Sequence, residues 1–364
     1  MRLLSIEASA LSIPFKQAFK HASADRSATQ TLRVECKTAS GHVGNGEGCP
    51  REYVTGESLD SAQAFVKQYR PEFLQINSLQ ALRRWVDVHT EEIDANPAAW
   101  TAVELAMLDA LGRTTGQSVE ALLGLPELAG EFAYSAVLGD AAPEAFAAQL
   151  QHYLKAGFVS FKIKLSGDAQ RDATKIIALQ TAGIKAAQVR ADANNLWSDA
   201  AEVIQYVEAL NYPFMALEEP LRAGDEQALR SVAESLECRI ILDESLLRSD
   251  QLPAYVRHPQ HWIANLRISK MGGVLRSLAL VENIRAAGLG LIIGAHVGET
   301  SVLTRAALIV AGNARDILIA QEGAFGIHLL ARDVVSQPLM FGQGGVLKAG
   351  SVKLGLGLEV EPRI

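Results

Sequence analysis

The sequence has few cysteines, no excess of basic residues and no long apolar run, and each absence excludes a class of protein. Three cysteines, Cys36, Cys49 and Cys238, are scattered over 364 residues, which fits neither a disulfide framework nor a zinc-binding spacing. The net charge of −7 offers no electrostatic footprint for nucleic acid. No apolar run is long enough to cross a bilayer, and the first residues do not read as a signal peptide. We therefore expect a reduced, soluble, cytoplasmic protein with neither a nucleic-acid nor a membrane partner.

What the sequence does contain is enough apolar material for a large core. Hydrophobic residues make up 49% of the chain, which excludes global disorder. Because the overall charge is negative, an anionic substrate has to be held by local cations or by a metal ion.

Residues 1–125 are predicted to form an α+β unit. The stretches LLSIEASALSI and TQTLRVECKT alternate like strands, and the glycine-rich SGHVGNGEGCP is interpreted as a hairpin turn and loop. From about Ser58 to Leu123 the pattern is helical, and the helix AAWTAVELAMLDALGRTT is expected to end near Gly116.

Residues 126–330 alternate strand and helix, which indicates an α/β fold. The apolar strands are FAYSAV, SFKIKL, AQVRAD, FMALEE, RIILDE, WIANLRI, LGLIIGA and DILIAQ. Eight such strands predict a closed parallel β/α barrel of the TIM type. An open, doubly wound sheet is the alternative, but no glycine-rich phosphate-binding motif follows any of these strands. The glycine-rich tail, residues 331–364, is expected to return to the N-terminal unit.

Three of the strands end in a carboxylate, namely Asp192, Glu218 and Asp243. In a β/α barrel, residues at the C-terminal ends of the strands form the active site. Three converging carboxylates predict a hard divalent cation such as Mg²⁺, with Mn²⁺ as an alternative. The competing interpretation is that some of these acids only cap the helices that follow.

Lys162 and Lys164 share one face of the strand SFKIKL. Two lysines facing a barrel interior are costly unless they have a chemical role, although an isolated pair is usually solvated at a strand end. A neighbouring divalent cation and a second lysine would lower the pKa of Lys164 and make it a usable base. In this interpretation Lys162 is its electrostatic neighbour.

The order and spacing of these motifs resemble those of the enolase superfamily, specifically its muconate lactonizing enzyme and mandelate racemase family. The resemblance covers nearly the whole chain and includes GHVGNGEGCPREYVTGES, AVELAMLDALGRTTGQSVEALLG, FKIKL, DANNLW, EEP, DES and KMGG. It implies a modified β/α barrel under an α+β capping domain, Mg²⁺ bound by Asp192, Glu218 and Asp243, and a homo-oligomer between dimer and octamer. The implied substrate is a small carboxylate. The implied site wall comprises Asn194, Glu219, Glu244, Glu299, Gln321, Phe19, Arg26 and Tyr53.

The stretch NLRISKMGG carries the main departure from the family pattern. The family places a second acid/base lysine where this sequence has Arg267, whereas Lys270 is expected at a helix start or on the surface. An arginine is a poor base at neutral pH, but it can hold a carboxylate or stabilise negative charge. This favours a reaction with one base, Lys164, such as syn elimination, cycloisomerisation or dehydration.

His296, at the end of the seventh strand, keeps a second outcome open. In the related mandelate racemase group a histidine near this position acts as the second base, so Lys164 and His296 together would support a racemase or epimerase. Dipeptide epimerases carry an Asp-x-Asp at the end of the eighth strand, where Gln321 and Gly323 stand here, which disfavours a dipeptide substrate. A third interpretation is a non-catalytic protein that binds a metal and a small acid.

Overall fold

The computed structural model describes residues 1–21 and 24–361, and for residues 17–21 and 24–26 it describes the backbone only. The N-terminal part contains a three-stranded antiparallel sheet of order β1-β4-β5 and a separate β2-β3 hairpin. The strands are β1 (Leu3–Leu11), β2 (Pro14–His21), β3 (Ala24–Ala28), β4 (Thr31–Thr38) and β5 (Val43–Gly48). The helices that follow are α1 (Glu52–Thr55), α2 (Leu59–Phe73), α3 (Leu79–Val88), α4 (Thr90–Ala95), α5 (Pro97–Thr115) and α6 (Val119–Leu123).

The helical pattern of this part is confirmed. Helix α5 ends where expected, since Gly116 adopts the left-handed conformation with φ 73° and its N–H bonds to the carbonyl of Gly112. Except at its C-terminal end, the helix is buried on all sides, which explains why its alanines and leucines show no clear polar face.

The second part is an eight-stranded parallel sheet of order β7 to β14, built from alternating strands and helices. Its strands are β7 (Ala136–Leu138), β8 (Phe161–Lys164), β9 (Val189–Asp192), β10 (Ala216–Glu218), β11 (Arg239–Leu242), β12 (Trp262–Arg267), β13 (Gly290–Gly294) and β14 (Leu318–Gln321). Its helices are α7 (Pro143–Lys155), α8 (Ala169–Thr181), α9 (Ala200–Leu210), α10 (Glu226–Ser235), α11 (Ile268–Met271), α12 (Val274–Ala287) and α13 (Ser301–Asn313).

The sheet curves into a TIM-like barrel whose first and last strands meet. The backbone N–H of Ser135, just before β7, donates to the carbonyl of Gln321 at the end of β14, over 2.8 Å. The barrel is modified, because short 3-10 turns, Ser249–Ala254 and Pro259–His261, replace the helix after β11. All eight strands expected from the sequence are present in the expected order.

The C-terminal segment lies against both parts of the molecule. Strand β15 (Val346–Ala349) pairs antiparallel with β6 (Gly130–Ala133). Farther along, Arg113 of α5 donates to the carbonyl of Leu358 over 2.5 Å. The tail thus contacts helix α5 of the N-terminal part, the unit to which it was expected to return.

Strand β5 corrects the interpretation of the glycine-rich stretch, which forms a turn followed by a strand rather than a loop. Its glycines face helix α5 at every second position. A Cβ atom on Gly44, Gly46 or Gly48 would overlap the carbonyl oxygen of Ala106, Ala102 or Ala98, respectively. The glycines are therefore required because strand and helix pack backbone against backbone.

We expect Gly46→Ala to lower the free energy of unfolding by about 3 kcal/mol, because the new methyl group cannot be placed without separating β5 from α5. Chemical denaturation of the variant measures this loss. Gly139→Ala is the control, since a Cβ atom there meets no atom within 4 Å. Equal stability of the two variants would contradict the close packing of β5 on α5.

Candidate active site

Asp192, Glu218 and Asp243 converge at the C-terminal mouth of the barrel. Asp192 and Glu218 are paired in register at the ends of β9 and β10, and Asp243 directly follows β11. Each is only 1% exposed. Three adjacent parallel strands therefore present three buried carboxylates to one point, as the sequence pattern predicted.

The two lysines of β8 lie beside these carboxylates. The Lys162 Nζ is 2.7 Å from Glu218 Oε2 and 3.1 Å from Asp192 Oδ2. The Lys164 Nζ is 2.6 Å from Asp192 Oδ2 and donates to Asn194 Oδ1, also over 2.6 Å. The side chain of Lys164 is 14% exposed against 4% for Lys162. Lys164 is thus nearer the opening of the site, where a substrate enters.

Two further cations contact the third carboxylate. Arg267, at the end of β12, forms an ion pair with Asp243 Oδ2. Lys270 donates to Asp243 Oδ1 over 2.8 Å and to the carbonyls of Asp243 and Asn265 over 2.7 and 2.8 Å. Lys270 was expected at a helix start or on the surface. It lies in the short helix α11, but its side chain is completely buried, so the surface alternative is wrong. Asn265 was not among the expected site residues, although its Nδ2 donates to Glu218 Oε1 over 3.3 Å.

The second acids of the EEP and DES motifs have different surroundings. Glu219 accepts hydrogen bonds from the backbone N–H groups of Asp243 and Ser245, over 2.6 and 2.7 Å. Its carboxylate therefore positions the backbone around Asp243. Glu244 is partly buried, and both burial and the charge of Asp243 raise its pKa.

At the end of β14 it is Glu322, rather than Gln321, that contacts the barrel cations. Glu322 Oε2 is 3.1 Å from Lys162 Nζ, and its Oε1 is 3.0 Å from Arg190 Nη1. The Gln321 side chain instead donates to the carbonyl of Ala133 over 3.4 Å. Glu322 was not among the expected site residues. It lies one residue beyond the end of β14, where the alternation of side chains along a strand no longer predicts its direction.

His296 and Glu299 lie in the turn after β13. The His296 backbone N–H donates to Glu299 Oε1 over 2.7 Å, and the same oxygen is 3.4 Å from His296 Nδ1. Both residues are at least nine-tenths buried at the level of their side chains. The glutamate therefore fixes the backbone of His296 and lies beside its imidazole.

The capping-side residues of the expected site wall are less defined. Tyr53 belongs to α1 and is 39% exposed. Phe19 and Arg26 pair across the β2-β3 hairpin, but their side chains lie outside the described residues.

The charges of the site depend strongly on one another. Burial by itself would lower the pKa of Lys162, but the neighbouring carboxylates, chiefly Asp192 and Glu218, hold it well above its ordinary value. Burial raises the pKa of Glu218 to about 8, and the negative charges of Asp192, Glu322 and Asp243 act in the same direction. Burial would also lower the pKa of Arg267, but Asp243 and Glu244 outweigh this effect and keep the guanidinium charged.

The three carboxylates fit a hard divalent cation. Their donors are all oxygen, they are buried, and Glu218 is crowded by negative charge that a cation would neutralise. Asp192, Glu218 and Asp243 are the residues that would hold it, with Lys164 next to it.

A barrel with this arrangement of acids and lysines under an α+β capping domain defines an enolase-superfamily enzyme, which abstracts the α-proton of its substrate. Family descriptions confirm it: residues 5–124 match the mandelate racemase / muconate lactonizing enzyme N-terminal domain, and residues 145–364 match the enolase C-terminal domain-like family. The chain belongs to the mandelate racemase/muconate lactonizing enzyme family.

Several characterised relatives are isomerases. The chain is 25% identical over 312 residues to the N-succinyl-L-Arg/Lys racemase of Bacillus cereus, covering 85% of this chain and 84% of that one. It is 26% identical over 320 residues to the L-Ala-D/L-Glu epimerase of Bacillus subtilis, covering 87% of each. A crystal structure of the dipeptide epimerase from Methylococcus capsulatus, complexed with a Mg ion, matches with a TM-score of 0.82 and 27% identity over 100% of both chains.

These relatives favour the racemase or epimerase alternative over the cycloisomerase or lyase that Arg267 suggested. Relatives of known structure bind Mg²⁺, and their substrates are small molecules. No helix in the described part of the chain is both long and apolar enough to cross a membrane.

Proposed function

We propose that this protein is a Mg²⁺-dependent racemase or epimerase that inverts the α-carbon of a small carboxylate, with Lys164 and His296 as the proton carriers. The observation that carries the proposal is the position of Lys164 Nζ, 2.6 Å from Asp192 Oδ2 in the carboxylate group. A substrate carboxylate held at that group would place its α-proton next to this amine.

His296 is the proposed proton carrier on the second face of the α-carbon. Lys164 ends β8 and His296 follows β13, the second and seventh of the eight barrel strands. The carboxylate-bearing strands β9, β10 and β11 lie between them. Glu299 Oε1 lies 3.4 Å from Nδ1 of its imidazole. Inversion requires a proton carrier on each side of the α-carbon, and we assign these two roles to Lys164 and His296.

The reaction moves one proton off the substrate and another on. Lys164 takes the α-proton, the electron pair of the broken C–H bond moves into the carboxylate, and His296 donates a proton to the opposite face. When bound, Mg²⁺ supplies the positive charge that stabilises the enolised carboxylate. Lys162 and Arg267 add fixed positive charge around the same group. In the reverse direction the two carriers exchange roles, so no net oxidation or reduction occurs.

Glu322, next to the eighth strand, limits which substituent the α-carbon of the substrate can carry. Glu322 is already paired with Lys162 and Arg190, so it is not available to bind the free ammonium group of a dipeptide. We therefore favour an acid whose amine is acylated or absent.

A second candidate is a reaction that uses Lys164 alone, such as syn elimination, cycloisomerisation or dehydration. It is favoured by Arg267, which occupies the place of a second lysine and stays charged at neutral pH.

The deciding experiment incubates the protein and Mg²⁺ in D₂O with N-acylated amino acids, dipeptides and simple α-substituted acids. Proton NMR follows exchange at the α-carbon, and chiral chromatography follows inversion. We expect exchange together with loss of optical purity for an N-acylated acid. Formation of an unsaturated or cyclised product, while the remaining substrate keeps its optical purity, would favour the second candidate. Binding without exchange for every acid would contradict both.

A further inference from the structure

A second group of side chains that could hold a metal ion lies where β5 ends and the turn after β13 begins. Cys49, which follows β5, approaches His296 and Glu299 in the turn after β13. The thiol sulfur, one imidazole nitrogen and one carboxylate oxygen all lie within 4.8 Å of one another. Cys49 is 1% exposed and His296 4% exposed, so the three donors meet inside the protein.

These donors differ in kind from those of the Mg²⁺ group. Asp192, Glu218 and Asp243 offer only oxygen, whereas this cluster offers sulfur, nitrogen and oxygen. Thiolate and imidazole are typical ligands of Zn²⁺ and related borderline cations, which use three protein ligands and leave a fourth position open in reactive sites. The two groups are therefore expected to select different metals.

The backbone holds the three donors in place from both domains. The Cys49 N–H donates to Ser269 Oγ over 2.7 Å, which ties this residue to helix α11. The Arg51 Nη2 donates to the carbonyl of Val297 over 2.8 Å. A Cβ atom on Gly298 would lie 3.0 Å from the ring of Phe15, so the turn fits closely beneath β2. A site assembled in this way is formed before any ion arrives.

Charges of both signs lie near the cluster, but the positive ones do not fully compensate Glu299. Glu47 adds negative charge close to Glu299, whereas Arg51 and Arg267 add positive charge. Burial raises the pKa of Glu299 to about 8, because a buried carboxylate lacks a full counter-charge there. A bound divalent cation would supply that charge and would displace the protons of the thiol and the carboxyl.

We propose that Cys49, His296 and Glu299 form a second metal site, selective for Zn²⁺ or Co²⁺ over Mg²⁺, whose occupation removes His296 from proton transfer. Metal binding is independent of the proposed function, but the loss of proton transfer rests on it. A Zn²⁺-loaded protein keeps Lys164 and its Mg²⁺ group and loses the carrier on the other face.

The test adds Co²⁺ to the full-length protein saturated with Mg²⁺ and records the thiolate-to-cobalt charge-transfer absorption. We expect a band that saturates at one equivalent and disappears in Cys49→Ser. The Co²⁺ affinity should fall about tenfold or more in His296→Asn and in Glu299→Gln.

Cys36→Ser and Cys238→Ser are matched controls, because both thiols are buried away from the cluster and should leave the band unchanged. Asp243→Asn should also retain it.

Absence of the band in the wild-type protein, or its survival in Cys49→Ser, would overturn the site. Hydrogen exchange of each enantiomer separates the site from the proposed function. One equivalent of Zn²⁺ should slow α-proton exchange from one enantiomer at least about tenfold and leave the other within about twofold. Equal inhibition of both enantiomers would overturn the link to His296. A band in a protein that exchanges no acid would leave the metal site standing while the proposed function fails.

Discussion

Replacing Lys164 with alanine is expected to slow α-proton exchange from one substrate enantiomer by roughly 10²–10⁴-fold, the usual contribution of a general base. Its Nζ lies within 2.6 Å of both Asp192 and Asn194, and alanine leaves no base there. In a two-carrier enzyme the other enantiomer is deprotonated by His296, so its exchange should persist. The measurement is NMR-detected exchange in D₂O, with each pure enantiomer tested separately.

Lys164→Arg is the matched control for charge. Arginine keeps a cation next to Asp192 but cannot act as a base at neutral pH, so its exchange should be as low as that of the alanine variant. The converse variant, His296→Asn, should suppress exchange from the opposite enantiomer. If Lys164→Ala left both enantiomers exchanging at the wild-type rate, Lys164 would not be the base. If it abolished exchange from both, a reaction with a single base would be favoured.

Replacing Glu218 with glutamine is expected to weaken Mg²⁺ binding at least roughly 100-fold, since one of three carboxylates is removed from a buried cation site. The side chain is nearly isosteric, so its contact with Asn265 Nδ2 can persist. Isothermal titration calorimetry with Mg²⁺ measures the loss, and activity should fall in parallel because enolisation depends on the cation.

Glu322→Gln is the matched control for this prediction. Glu218 and Glu322 both contact Lys162 Nζ, over 2.7 and 3.1 Å, but only Glu218 ends a strand within the carboxylate group. We expect Glu322→Gln to keep its Mg²⁺ affinity within about tenfold. Equal losses in the two variants would mean that the effect comes from Lys162 rather than from metal coordination, and would argue against the proposed ligand set.

Alternation along strands predicted much of the barrel and of its mouth. The strand endings at Asp192, Glu218 and Asp243 were readable because each acid interrupts an apolar run, and parallel strands bring such endings together. The pairing of Lys162 with Lys164 followed from the same alternation. Arg267, singled out by its position in NLRISKMGG, forms an ion pair with Asp243.

The errors arose where the chain leaves regular structure. Lys270 lies in a single turn of helix, α11, where strand parity no longer applies, and its side chain reaches back to the Asp243 carboxylate. Glu322 lies one residue beyond β14, so strand parity does not predict the direction of its side chain either. Strand β5 was taken for a loop because glycine is usually a signal of turns, and only the proximity of α5 shows why it is needed in a strand.

The sequence by itself therefore determined the succession of strands and helices and the acids and lysines at the strand ends, because local periodicity records which side chains face the core. The family followed from a different signal, the resemblance of its ordered motifs. Only the tertiary structure decided which cations pair with which carboxylates and that Cys49 lies beside His296 and Glu299. Cys49 and Glu299 are 250 positions apart, and they meet because the N-terminal part packs on the barrel. No local pattern encodes a distance between side chains that only the closed fold brings together.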